Sequence, residues 1–290
     1  KLNTPVRIEK VSLIFSGAIA NHPTRVLAEK EASIQRLEQD WGLAEGERFR
    51  QAKWSEAKNK VLQRLSAVRY PNAKIVSSLA VIDREQHRAN LNLQVDSGEA
   101  FVFGEAEISG LSRYPQKVVA LNNDIKQGDV FDQDKLVALQ TRLIESGYFK
   151  SVQVKVSEQN SPTDTLPAVL PVQIILEEVP SKNLRLGVGF STNTGLRTQL
   201  AYDDKNLLKR GWLWKNNLKL EQLEQSWKSE ILLPTRQYGF RDGLSYEIKH
   251  EKIAAIGDIY SHAFILRRNW GTPEIDRTLR LRFLSDTIKS

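Results

Sequence analysis

The chain of 290 residues carries 42 Lys and Arg against 35 Asp and Glu, a net charge of +7. The excess is spread along the chain with no basic run, which argues against a nucleic-acid arm. There is no Cys, so disulfides and thiol chemistry are excluded, and no stretch is apolar for long enough to cross a bilayer as a helix. The length accommodates two or three domains. The start at Lys1, with neither Met nor a leader, is expected of a processed or trimmed chain.

From the start, residues 6–11 alternate as a strand. A helix is expected over 23–40, with Leu27, Ile34 and Leu37 among its apolar positions. Gly46-x-x-Phe49 precedes a second helix over 54–65, where Trp54, Ala57, Val61 and Leu65 share a face. Tyr70-Pro71 ends it. Strands follow at 73–82 and 89–95, with a turn beginning at Asp83-Arg84-Glu85. The linker from Ser97 to Phe101 is too short for a flexible tether and implies packed neighbours.

The pattern then repeats after about 80 residues. Residues 105–109 form a strand closed by Gly110, and a helix is expected over 115–125. Gly128-x-x-Phe131 matches Gly46-x-x-Phe49 in position and type. A helix over 132–145 places Leu136, Leu139 and Leu143 on one face, and Ser146-Gly147 stops it. After Tyr148-Phe149 come strands at 152–156 and 172–176, separated by a polar loop, 160–165 with Pro162, expected to be mobile. Strand, helix, helix, strand, strand makes an α+β unit, a small sheet with both helices on one face.

After Val179-Pro180 helical periodicity ends. Residues 183–191 alternate strictly, and Thr192-Asn193-Thr194-Gly195 supplies a turn. Further strands are expected at 196–203, from Trp212, and at 227–233, 244–253, 259–270 and 279–284, about seven in all. Trp212, Trp227, Tyr260 and Trp270 are placed near strand ends. Alternation with terminal aromatics suits a membrane barrel, and a soluble sandwich alternates in the same way.

No constellation of reactive residues stands out. His22, His87, His250 and His262 lack a neighbouring His or carboxylate at ligand spacing and are expected at the surface or in loops. Gly187-x-Gly189 lacks the third glycine and the helix of a dinucleotide site. Asp203-Asp204 reads as a solvated loop, and no Gly-x-Ser-x-Gly elbow occurs. Neither an enzyme nor a cofactor or metal site is expected.

Ile108-x-Gly110, Gly128-x-x-Phe131 and Leu143-x-x-x-Gly147-Tyr148-Phe149-x-x-Val152-x-Val154 resemble a POTRA domain, the polypeptide-transport-associated module of outer-membrane assembly proteins. Gly187-Val188-Gly189-Phe190-Ser191-Thr192-Asn193-x-Gly195-x-Arg197 is similar to the first hairpin of the TamA branch of the BamA/TamA family. The resemblance implies a POTRA-like module at 1–101, a POTRA module at 102–179 and the first strands of a transmembrane β-barrel at 180–290. A barrel of this family has about sixteen strands. Its late Val-Arg-Gly-Phe-type signature and a first POTRA module have no counterpart, and Tyr238-Gly239-Phe240-Arg241 is no substitute for the signature. An internal piece of a longer protein is therefore expected.

By the same resemblance the function is outer-membrane protein insertion or translocation, of the autotransporter assembly type, with the POTRA modules in the periplasm. Partners would be unfolded outer-membrane or autotransporter clients, an inner-membrane or periplasmic partner of TamB type, and outer-membrane lipid, with no nucleic acid. The second strand of each module is the implied edge for strand addition, with Lys74, Val76 and Ser78 in one and Ser151, Gln153 and Lys155 in the other. Leu184, Leu186, Gly187, Val188, Gly189 and Phe190 form the implied lateral seam. There, the glycines either ease parting of the seam or fit a crowded barrel. A two-partner-secretion transporter and a soluble periplasmic scaffold are the alternative readings.

Overall fold

The computed structural model describes residues 5–21, 34–157, 167–191, 195–236, 240–254, 256–272 and 275–289. His22, most of the expected first helix (23–33), the 160–165 loop, the 192–194 turn and Tyr238-Gly239 lie outside them. Packing divides the chain into two compact units. One comprises Lys1–Glu107, Ile125–Val137 and Lys155–Gln173, and the other Ile108–Asp124, Ala138–Val154 and Ile174–Ser290.

In the first unit β1 (Arg7–Ser16), β2 (Lys74–Asp83) and β3 (Arg88–Asp96) form a sheet ordered β1-β3-β2. β1 runs parallel to β3 and β2 antiparallel to it. The central strand alternates, burying Ala89, Leu91, Leu93 and Val95. Against them pack a short helix α1 (Ile34–Gln39), which buries Leu37, and a long one, α2 (Gln51–Ala67). α2 buries Trp54, Ala57, Val61 and Leu65, the four positions its periodicity marks. Each large side chain so buried contributes about 1.5–3 kcal/mol, and Trp41 meets Trp54 edge-on at 5.7 Å. α2 ends where Val68 turns extended and Arg69 takes φ +69°.

The repeated Gly-x-x-Phe has one structural meaning in both copies. Gly46 N–H donates to the Ile8 carbonyl at 2.7 Å and Phe49 N–H to Val6 at 2.9 Å. In the second copy Gly128 N–H donates to Phe103 at 2.8 Å and Phe131 N–H to Phe101 at 3.1 Å. The segment therefore lies along the start of the module's first strand, reached through a left-handed glycine, φ +85° at Gly46 and +87° at Gly128. Arg69 joins the copies, donating its N–H to the Phe131 carbonyl and accepting the Phe101 N–H at its own, both at 2.8 Å.

β4 (Phe101–Ser109), β5 (Phe149–Val156) and β6 (Ala168–Glu178) form a second three-stranded sheet, ordered β4-β6-β5. Two helices accompany it. α4 (Gln133–Glu145) matches expectation and buries Leu136, Leu139 and Leu143. α3 spans only Lys117–Ala120, shorter than the expected 115–125. The cause is Asn122, buried, whose side-chain amide donates to the Val118 carbonyl at 2.8 Å and competes with helical backbone bonds.

In the second unit seven strands make one antiparallel meander. They are β7 (Lys182–Ser191), β8 (Gly195–Leu207), β9 (Trp212–Glu221), β10 (Glu224–Leu232), β11 (Arg241–Ile253), β12 (Gly257–Thr272) and β13 (Ile275–Lys289), paired in chain order. Directly opposed residues share a face. One row across the sheet reads Leu186, Leu200, Leu218, Trp227, Ile248, and a row three positions along, on the other face, Asn183, Asp203, Lys215, Glu230, Ser245. The sheet thus has an apolar face and a polar one.

Three expectations are corrected here. Asp203-Asp204 is not a loop but lies within β8, where Asp203 pairs with Arg185 at 3.0 Å. Trp227 sits inside β10 and not at its end. His250, on β11, does have a carboxylate neighbour: its Nε2 lies 3.0 Å from Asp258 Oδ1 across a hairpin, while Nδ1 faces Gln225. Among the described residues no cluster of three or more His, Cys, Asp or Glu could hold a metal.

Candidate functional site

The residues singled out by sequence lie on three separate strands, not in one pocket. β2 and β5 are edge strands of their sheets. Lys74, Val76 and Ser78 are exposed on β2, where the register shifts between Ile75 and Ser77 so that Val76 bulges. Ser78 Oγ accepts a bond from Lys58 Nζ at 3.1 Å. On β5, Ser151, Gln153 and Lys155 are exposed while Val152 is buried. Each edge leaves one row of peptide groups without a strand partner among the described residues.

β7 and β13 are the two edges of the seven-stranded sheet among the described residues. On β7, Leu184, Leu186, Val188 and Phe190 are 65 to 78 % exposed. A Cβ at Gly189 would meet nothing within 4 Å, and one at Gly187 only Gln199 at an ordinary 3.9 Å. Relief of crowding therefore does not account for these glycines among the described residues.

Reading the sequence missed the junction between the second module's end and the sheet, all within the second unit. Tyr148, 1 % exposed, donates its hydroxyl to the Gly211 carbonyl at 2.6 Å. Its ring packs edge-on against Tyr114 at 5.1 Å. The turn between β8 and β9 reaches Gly211 through Leu208 and Lys209, both left-handed, and packs Gly211 on Val118 and Pro115. Around it, Asn206 Nδ2 donates to the Arg113 carbonyl at 2.6 Å, and Asn122 Nδ2 to that of Thr235 at 3.3 Å. Lys205 Nζ donates to the carbonyl of Gly147 at 2.9 Å. Tyr148 stood in the quoted motif, but nothing local announces a partner 63 residues away.

The segment before this junction is fixed by one carboxylate. Glu178, at the end of β6, accepts from the backbone N–H groups of Ser112, Arg113 and Tyr114 at 2.8–3.0 Å and from Ser112 Oγ at 2.8 Å. Burial alone would push its pKa up, but these hydrogen bonds, with Tyr114 N–H foremost, outweigh it and hold the group below its usual value. Burial, with the Glu178 charge behind it, pushes the Tyr114 phenol up to about 12, and burial likewise raises Tyr148. Both phenols stay protonated and serve as donors, Tyr114 to the Val179 carbonyl at 3.1 Å.

Beside Tyr148 opens a cavity of about 380 Å³ lined by Arg185, Lys205, Lys215 and Arg241, with Glu145 and Asp203 as its carboxylates. Arg185, Asp203 and Lys215 belong to the polar face of the sheet.

Residues 101–176 match the POTRA family, described as the surface antigen variable number repeat. The chain is similar in fold to BamA from Haemophilus ducreyi lacking POTRA domains 1-3, with a TM-score of 0.72 and 16% identity, covering 98% of this chain and 52% of that one. It is also similar to CdiB from Acinetobacter baumannii (TM-score 0.55, 14% identity, 99% and 55% covered) and to CdiB from Escherichia coli (0.51, 13%, 98% and 52%). The chain spans about half the length of these structures, and the likeness is one of fold.

Proposed function

We propose that this chain is part of an outer-membrane protein that inserts or translocates extended polypeptides, without being an enzyme. The observation that carries the reading is the two-faced antiparallel sheet, open at β7 and directly preceded by modules whose edge strands are also open. An apolar outer face suits lipid, and a polar inner face suits a water-filled lumen. Main-chain pairing at β2, β5 and β7 reads extended conformation and tolerates varied side chains, which fits unfolded outer-membrane or autotransporter clients. In this reading the modules stand in the periplasm, where their edges also receive an assembly partner. The Gly187–Arg197 hairpin supports the TamA branch and a partner of TamB type.

Reconstitution tests it. Proteoliposomes holding the full-length protein should fold an added outer-membrane client into the bilayer faster than protein-free vesicles, and a client strand should crosslink to β7. Ion conduction through an open channel with no client insertion would instead favour a dedicated secretion pore. A monomer of residues 183–290 that stays soluble without detergent would favour a periplasmic scaffold.

A further inference from the structure

The cavity beside Tyr148 is short of negative charge. Four cations, Arg185, Lys205, Lys215 and Arg241, line it against two carboxylates, Glu145 and Asp203, an excess of two positive charges. Asp203 pairs with Arg185 at 3.0 Å. Lys205 donates to the Gly147 carbonyl at 2.9 Å, a bond that cancels no charge. Lys215 makes no ion pair with a described residue. Glu230, directly across from it on β10, is held by Arg267 at 2.9 Å. Lys215 and Arg241 both lie near enough to Lys205 to repel it. The sheet thus gathers like charges around one cavity, and an anion placed among them is stabilised.

The size of the excess and the kinds of donor say which anion. A carboxylate carries one negative charge and leaves the cavity positive. A phosphate group with a second titrating oxygen carries about 1.5 to 2 at neutral pH, with three acceptor oxygens, and so matches the excess. Arg185 and Arg241 present planar forks suited to phosphate oxygens, and Lys205 and Lys215 act as point charges. At about 380 Å³ the cavity has room for such a group with bridging water. Gly147 and Tyr148 line the same cavity, so a phosphate there reaches the turn after α4 as well as the strands.

We propose that this cavity binds a phosphate dianion, as free phosphate or as a lipid's phosphomonoester headgroup entering past Asn183 and Arg185 on β7, and that the anion stiffens the joint between the turn after α4 and the sheet. The inference does not depend on β7 parting: phosphate binding can fail while client insertion holds, and the reverse.

The test titrates inorganic phosphate at constant ionic strength into the full-length protein in nanodiscs of zwitterionic lipid, read by calorimetry. Saturable binding is expected, with a thermal midpoint that rises as phosphate is added. Lys215→Gln breaks no ion pair and should weaken binding about tenfold, the scale of one charge-assisted hydrogen bond, whereas Lys215→Arg should keep it. Lys228, two positions from Glu230 on β10, stands on the same face but outside the cavity. Lys228→Gln should leave the affinity unchanged, and weakening equal to that of Lys215→Gln would overturn the site. Acetate binding as tightly as phosphate, or no saturable binding, would overturn it too. Phosphatidic acid, compared with phosphatidylglycerol at equal surface charge, separates the sources. Competition by phosphatidic acid alone supports the headgroup, and equal phosphate affinity in both supports free phosphate.

Discussion

The hydroxyl of Tyr148 and the carbonyl of Gly211 meet at 2.6 Å in a buried contact. It ties the junction after α4 to the turn between β8 and β9. Tyr148→Phe keeps the ring and leaves the carbonyl without its donor, at a cost of about 1–3 kcal/mol. We expect a lower thermal midpoint and faster proteolysis at the β8–β9 turn. Unchanged values for both would show that the Tyr148 hydroxyl does not hold the junction.

Gly211 and Gly147 separate backbone strain from contact. Both are left-handed, φ +68° and +78°. A Cβ at Gly147 meets nothing within 4 Å, but at Gly211 it comes within 2.6 Å of Val118 Cγ2. Gly147→Ala should cost roughly 1–2 kcal/mol, the left-handed penalty alone, and Gly211→Ala clearly more. Adding Val118→Ala should recover the excess in the Gly211→Ala background, measured by denaturant unfolding.

Glu178 sets an acid limit. Its folded pKa lies below the ordinary 4.5, so its contribution is fully present above about pH 4.5 and fades as pH falls through the folded value. Acid titration of the thermal midpoint should therefore be steeper in the parent than in Glu178→Gln below pH 4.5, with parallel curves above it. Asp129, where hydrogen bonds from Lys135 and Lys126 outweigh burial, titrates in the same direction and contributes equally to both proteins. Parallel curves throughout would remove Glu178 as the source.

At the seam a Cβ at Gly187 or Gly189 meets no close neighbour, and Gly187→Val with Gly189→Val strengthens strand pairing by up to about 1 kcal/mol. The double variant should insert clients more slowly into proteoliposomes at a thermal midpoint no lower than the parent's. Unaltered insertion would remove the glycines from any gating role.

The module edges make a positional prediction. A photocrosslinker at Ser78 or Gln153, on edge strands, should capture an extended client, and one at Asn92, on the central strand β3, should not. Equal capture from Asn92 would argue against strand addition.

What was legible in the sequence was whatever depends on near neighbours. The leucines of α4, the α2 stripe from Trp54 to Leu65 and the alternation of β7 announced themselves through period, and Gly46 and Gly128 through the Gly-x-x-Phe they share. Much of the rest depends on partners far along the chain. Glu178 binds a loop 64 to 66 residues earlier, and Tyr148 a turn 63 residues later. His250 and Asp258 are only eight residues apart but meet because a hairpin folds them together. α3 was overextended because Asn122 looked like an ordinary helix residue, while its amide is drawn to Val118 and Thr235.

The splice at Arg69 is written in peptide groups: its N–H and carbonyl, with those of Phe101 and Phe131, carry the connection. Side chains around it can drift in size and charge while these main-chain bonds persist. Substitution can thus repaint the surfaces of both modules without touching the peptide groups that couple them.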